Sequence, residues 1–66
     1  MSPDKVAMRI KQLRAAKGFT QEALARKAKL SLGYVARLET GHHDPTVTTL
    51  RKLAKALGVP VAELLG

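Results

Sequence analysis

Residues 20–39 read TQEALARKAKLSLGYVARLE. Apolar side chains keep helical spacing from Leu24 and Ala25 to Ala28, and again from Val35 to Leu38. Between the two runs the period slips. Ser31 stands at the slip, directly after Leu30. Serine is a preferred N-cap because its hydroxyl accepts a backbone N–H that a helix start leaves unpaired. The stretch therefore reads as two short helices joined by a tight turn, not one long helix. Thr20 caps the first, and Glu22 favours the positive end of its dipole. The first stops near residues 28–29; the second runs from Ser31 to about Thr40, and Gly41 terminates it. Small Ala25 and Ala28 permit a close helix–helix crossing. Both helices fall below the roughly 12–15 residues that persist alone in water, so they need packing partners.

Those partners are visible on either side. Upstream, residues 4–17 predict a helix, with Ser2 or Asp4 as cap and Pro3 at a tolerated position. Val6, Ile10 and Leu13 form its apolar stripe, Gly18 ends it, and Phe19, the only phenylalanine, acts as a plug. Downstream, Asp44-Pro45-Thr46 predicts a turn and a capping threonine. Val47, Leu50, Leu53, Ala54 and Leu57 then form an inner stripe that Gly58 closes. A short fifth helix follows Pro60. No stretch sustains the strict alternation of a strand. The expected fold is all-α, a single compact domain of five helices over residues 1–66, with a helix-turn-helix at about 20–40.

A chain of 66 residues buries only roughly 60% of its unfolded surface, so a partner subunit would add stability. Val61, Leu64 and Leu65 supply more apolar surface than the end of a short chain needs, which predicts a dimer seam within 58–66. There is no cysteine, hence no disulfide framework and no thiolate metal site. The start, MSPDKVAMRI, is charged where a signal peptide is apolar, and no apolar run approaches the roughly 20 residues that span a bilayer. Twelve Lys and Arg against five Asp and Glu give a net charge of +7. That field on a small body points to a polyanion, most often nucleic acid.

Two short helices joined by a tight turn suit this partner. The first crosses the phosphate backbone, and the second offers its N-terminal residues to base edges in the major groove. Gln21-Glu22-Ala23-Leu24-Ala25, then Leu38-Glu39-Thr40-Gly41, Pro45, and Leu53-Ala54-Lys55-Ala56-Leu57-Gly58-Val59 together resemble the Xre family, the lambda-repressor-like helix-turn-helix domains. The resemblance extends from about Ile10 to Leu65. It implies five helices, operator binding and a homodimer. It also implies roles. Ser31, Leu32, Gly33, Ala36 and Arg37 would read bases. Thr20, Gln21, Thr40, His42, His43 and Thr46 would contact phosphates. Arg14 and Glu39 would pair between the first and third helices. The turn position usually held by glycine is Lys29, and a left-handed lysine costs on the order of 1 kcal/mol.

Arg37 is the one member of the reading set able to grip guanine in a bidentate way, while Leu32 suits a thymine methyl. Shape and bound water would then supply part of the specificity. Tyr34 reads equally as a phosphate donor through its hydroxyl and as a packing residue. His42-His43-Asp44 lack the convergent ligands a metal needs. Histidines beside phosphate would instead raise DNA affinity at lower pH. The five carboxylates are scattered and form no nucleophile–base–orienter set, so no enzyme activity and no cofactor are expected.

The sequence thus predicts a cytoplasmic, nucleoid-associated regulator that binds palindromic double-stranded DNA as a homodimer. No membrane and no small-molecule ligand are expected. Lys and Arg on helices one, three and four would supply salt-sensitive affinity. The rival readings are an antitoxin or bridging adaptor whose DNA binding is secondary, and a basic amphipathic binder of anionic membranes.

Overall fold

The computed structural model describes residues 3–42 and 44–65. Five helices follow in order: α1 Pro3–Ala16, α2 Gln21–Ala28, α3 Leu32–Leu38, α4 Val47–Leu57 and α5 Ala62–Leu65. There is no strand among the described residues. α2 packs on both α3 and α4, while α1 packs on α5 and α4.

Side-chain caps start three of the helices. Thr20 Oγ1 accepts from Ala23 N–H at 3.0 Å, Ser31 Oγ from Tyr34 N–H at 3.1 Å, and Thr46 Oγ1 from Thr49 N–H at 3.1 Å. Each cap residue keeps extended backbone angles, which is what turns the chain sharply before each helix. α1 begins at Pro3, so Asp4 sits inside its first turn and is not its cap. There the carboxylate meets the positive end of the dipole. Ser2, the other cap candidate, lies outside the described residues.

α1, α2 and α4 all end in the same way. The residue after the left-handed position bonds five residues back: Phe19 N–H to Arg14 C=O, Leu30 N–H to Ala25 C=O and Val59 N–H to Ala54 C=O. This is the Schellman closure, and it satisfies carbonyls a helix end would otherwise orphan. Glycine takes the left-handed position in α1 and α4, whereas α2 uses Lys29 at φ 58°, ψ 42°. α3 closes differently. Its regular ladder stops at Leu38, two residues short of the expected Thr40. Thr40 and Gly41 N–H groups reach back only three residues, to Arg37 and Leu38.

The core is one cluster. Ile10, Leu24, Leu38, Leu50, Leu53, Leu57 and Leu64 are its largest members, each almost fully withdrawn from solvent. Each such side chain contributes about 1.5–3 kcal/mol by leaving water. Ala25 and Ala28 are buried where α2 meets its neighbours, and Phe19, Leu13, Leu30 and Tyr34 pack on the cluster from its edge. Val47 departs from the expected stripe. It is 62% exposed, because it is the first residue of α4 and lies beyond the core that Leu50 enters.

Candidate nucleic-acid interface

α3 is buried on one side and open on the other. Val35 and Leu38 face the core, while Ser31, Leu32, Gly33 and Arg37 are exposed and Ala36 is half-buried. Positions 32, 33, 36 and 37 share one helical face by their spacing. Leu32 keeps 46% of its surface in solvent, where it is free to make an apolar contact. A methyl added at Gly33 would enter open space, so among the described residues nothing packs over this position of the face. Arg37 is exposed in the last turn and completes it with a cation.

The helix is held from behind by a polar network. The Arg14 Nε–H donates to Glu39 Oε2 at 2.7 Å and its Nη2–H to Glu39 Oε1 at 3.0 Å. A third Arg14 N–H donates to the Phe19 carbonyl at 2.8 Å, tying α1 to the chain entering α2. Glu39 Oε1 also accepts from Gln21 Nε2 at 3.0 Å. One carboxylate therefore joins α1, the start of α2 and the end of α3. The hydrogen bond from Arg14 to Glu39 raises the arginine's pKa, burial opposes it, and the charge of Glu39 adds to the rise. Arg14 is thus fixed in its charged form. No buried side-chain polar atom among the described residues lacks a partner.

Donors remain along the borders of the exposed face. Gln21 gives one amide N–H to Glu39 and keeps a second; the pairing of these two residues is a contact that sequence reasoning did not assign. Thr20 accepts from its own helix through Oγ1, so its O–H is left to donate. The threonines that follow α3 and precede α4 are spent differently. The Thr40 O–H donates to the Arg37 carbonyl at 2.6 Å and closes α3. Thr46 O–H donates to Thr49 Oγ1 at 3.1 Å, which leaves the O–H of the half-buried Thr49 to donate. A threonine three residues after a cap threonine was the signal for it. His42 is exposed with Nδ1 3.2 Å from Thr40 Oγ1. His43 lies outside the described residues. Tyr34 is half-buried and packs on the core.

The expected dimer residues divide. Leu64 is fully buried within the domain, so it is not a seam residue: α5 has four residues and one inward position, which Leu64 fills. Leu65 is 42% exposed and Val61 half-buried. Arg9 pins α5 to α1, donating to the Glu63 carbonyl at 2.9 Å and to Glu63 Oε2 at 2.8 Å. Among the described residues no cluster of ligating side chains could hold a metal ion, and no helix is long and apolar enough to cross a membrane.

Comparison with known proteins settles the family. The helix-turn-helix family model matches residues 10–64, nearly the whole described fold. The chain belongs to the Xre (Cro/C1-type) helix-turn-helix family. This helix-turn-helix chain is 41% identical over 61 residues to the immunity repressor protein of Bacillus phage phi105, a match covering 92% of the chain and 42% of the repressor. It therefore spans less than half the length of that relative. A second relative, the uncharacterized HTH-type transcriptional regulator y4dJ of Sinorhizobium fredii, is 46% identical over 54 residues, covering 82% of this chain and 70% of the regulator. Among solved structures, the restriction-modification controller protein C.AhdI from Aeromonas hydrophila superposes with a TM-score of 0.91 at 37% identity, over 94% of each chain. The clp gene regulator ClgR from Corynebacterium glutamicum superposes with a TM-score of 0.89 at 32% identity, over 96% of this chain and 82% of its own.

Proposed function

We propose that this helix-turn-helix chain binds double-stranded DNA as a homodimer and regulates transcription, chiefly by occupying promoters. It acts by binding and not by catalysis, an account that puts it at the nucleoid. The single observation that carries this reading is the open face of α3. Leu32, Gly33 and Arg37 stand in solvent on a helix whose opposite side is locked into the core. A major groove about 12 Å wide admits such a helix.

In this account Arg37 reads guanine, Leu32 meets a thymine methyl, and Ser31 and Ala36 complete the base-facing set. Thr20 and the second amide N–H of Gln21 hold one phosphate strand, helped by the N–H groups opening α2. His42, with Thr49 beside the Thr46 cap, holds the other. Val61 and Leu65 form the accessible part of the dimer seam. A two-fold axis there would set two recognition helices about 34 Å apart and require a palindromic operator.

Titration of a labelled duplex across salt concentrations tests this. The expected log–log slope is about −0.9 per phosphate neutralised. Arg37→Ala should cost about 1–3 kcal/mol of discrimination between preferred and random duplexes. Affinity indifferent to salt, or an Arg37→Ala loss that is equal for every sequence, would overturn the respective part.

A further inference from the structure

The basic side chains do not all border α3. Lys27 and Lys29, at the end of α2, and Lys52 and Lys55, on α4, surround a groove of about 390 Å³ floored by Ala28 and Ala56. Lys27 Nζ lies 5.1 Å from the Phe19 ring centroid, which orients that side chain. Lys29, Lys52 and Lys55 pair with no carboxylate among the described residues. Three of the chain's five acids are paired elsewhere, Glu63 with Arg9, Glu39 with Arg14 and Glu22 with Arg26, and Asp44 is exposed in the turn before α4, not in this groove. Asp4 stands beside Gly41, in a different groove. The result is a concave, uncompensated cluster of four positive charges.

Apart from Lys52, which lies one turn beyond Thr49, this cluster stands back from the donors assigned to DNA. At about 1.5 Å rise per residue, Lys27 stands about 10 Å along α2 from the Thr20 cap, and Lys55 about 13 Å along α4 from Thr46. Single-stranded nucleic acid needs aromatic platforms on which bases stack. The groove has none, and the nearby Phe19 ring carries Lys27. Lysine ammonium groups are compact point charges on flexible stems, so they pair with an anionic side chain without demanding one approach geometry. The two alanine methyls leave room for small apolar side chains between them.

We infer that the α2–α4 groove docks an extended acidic segment of another protein while α3 occupies DNA. The chain then has two anion-binding faces, one for a duplex and one for a polypeptide. The second is independent of the first, and failure of either leaves the other standing.

The test uses labelled hexaglutamate as the probe, read by anisotropy and by backbone amide shifts. Hexaglutamate should move the amides of Ala28 and Ala56 and leave that of Arg37 in place. Lys27→Gln with Lys29→Gln should weaken it about tenfold, two surface ion pairs' worth. Lys11→Gln with Lys17→Gln, the same change in net charge away from the groove, should weaken it less than about twofold. The peptide should also bind the protein already loaded with duplex, and the Lys27/Lys29 variant should keep the wild-type salt slope for DNA. Absence of binding, equal loss in both double variants, or displacement by duplex would overturn the inference. So would a DNA slope reduced by about 1.8 in the Lys27/Lys29 variant, which would assign these lysines to phosphates. Peptide binding by a protein that ignores duplex DNA would uphold this groove and sink the DNA reading alone.

Discussion

The guanidinium of Arg14 lies across both oxygens of Glu39, at 2.7 and 3.0 Å, and this one pair fixes the end of α3 against α1. The Glu39 side chain is 2% exposed and that of Arg14 17%. Removing one partner from such a site strands the other charge, whereas removing both does not. Glu39→Ala should therefore cost about 3 kcal/mol in urea unfolding. Arg14→Met with Glu39→Leu should cost less than Glu39→Ala alone. A double variant as unstable as the sum of Arg14→Met and Glu39→Leu measured singly would show that the pair is not coupled.

Gln21 shares the same carboxylate through one amide N–H and offers its second to a phosphate. Gln21→Ala should weaken duplex binding by about 1–2 kcal/mol, uniformly across sequences, with the preference between sites unchanged. Competition titrations with preferred and random duplexes separate the two quantities. A changed preference would make Gln21 part of the reading surface.

Gly41 and Gly58 both hold left-handed backbone, at φ 82° and 70°. An added methyl at Gly58 enters open space, whereas at Gly41 it collides with the Asp4 side chain and presses on its Cα. Gly58→Ala should cost about 1 kcal/mol from the backbone alone. Gly41→Ala should cost clearly more, because the first turn of α1 must also shift. Thermal midpoints of the two variants compare them directly; equal losses would mean that the Asp4 contact is not rigid.

Gly33 gives the opposite expectation. It sits inside α3 with open space where a side chain would go. Gly33→Ala should stabilise the fold by about 0.5–1 kcal/mol. The new methyl would stand on the base-facing side and favour thymine at the position it meets. Higher stability with unchanged site preference would place Gly33 off the DNA.

Much of this architecture was legible in the sequence because it is local. Thr20, Ser31 and Thr46 cap their helices through bonds only three residues long. Lys29 carries the left-handed turn because the Schellman closure leaves no other conformation at that place. What escaped depends on residues far apart in the chain. Leu64 reads as a surplus leucine until α1 is seen to cover it. Periodicity put Val47 inside, but a helical face extends no further inward than the neighbours that pack on it. The link of Gln21 to Glu39 spans 18 residues, and the lysine groove joins positions in two helices. No spacing rule within one helix reports such meetings.

In-vitro selection of binding sites from random duplex DNA bears most directly on whether α3 is a reading helix. The expected outcome is two inverted half-sites, centred about one helical turn, roughly 34 Å, apart, with guanine enriched at the position that loses discrimination in Arg37→Ala. A selected pool with no common sequence, or one unchanged by Arg37→Ala and Leu32→Ala together, would contradict it.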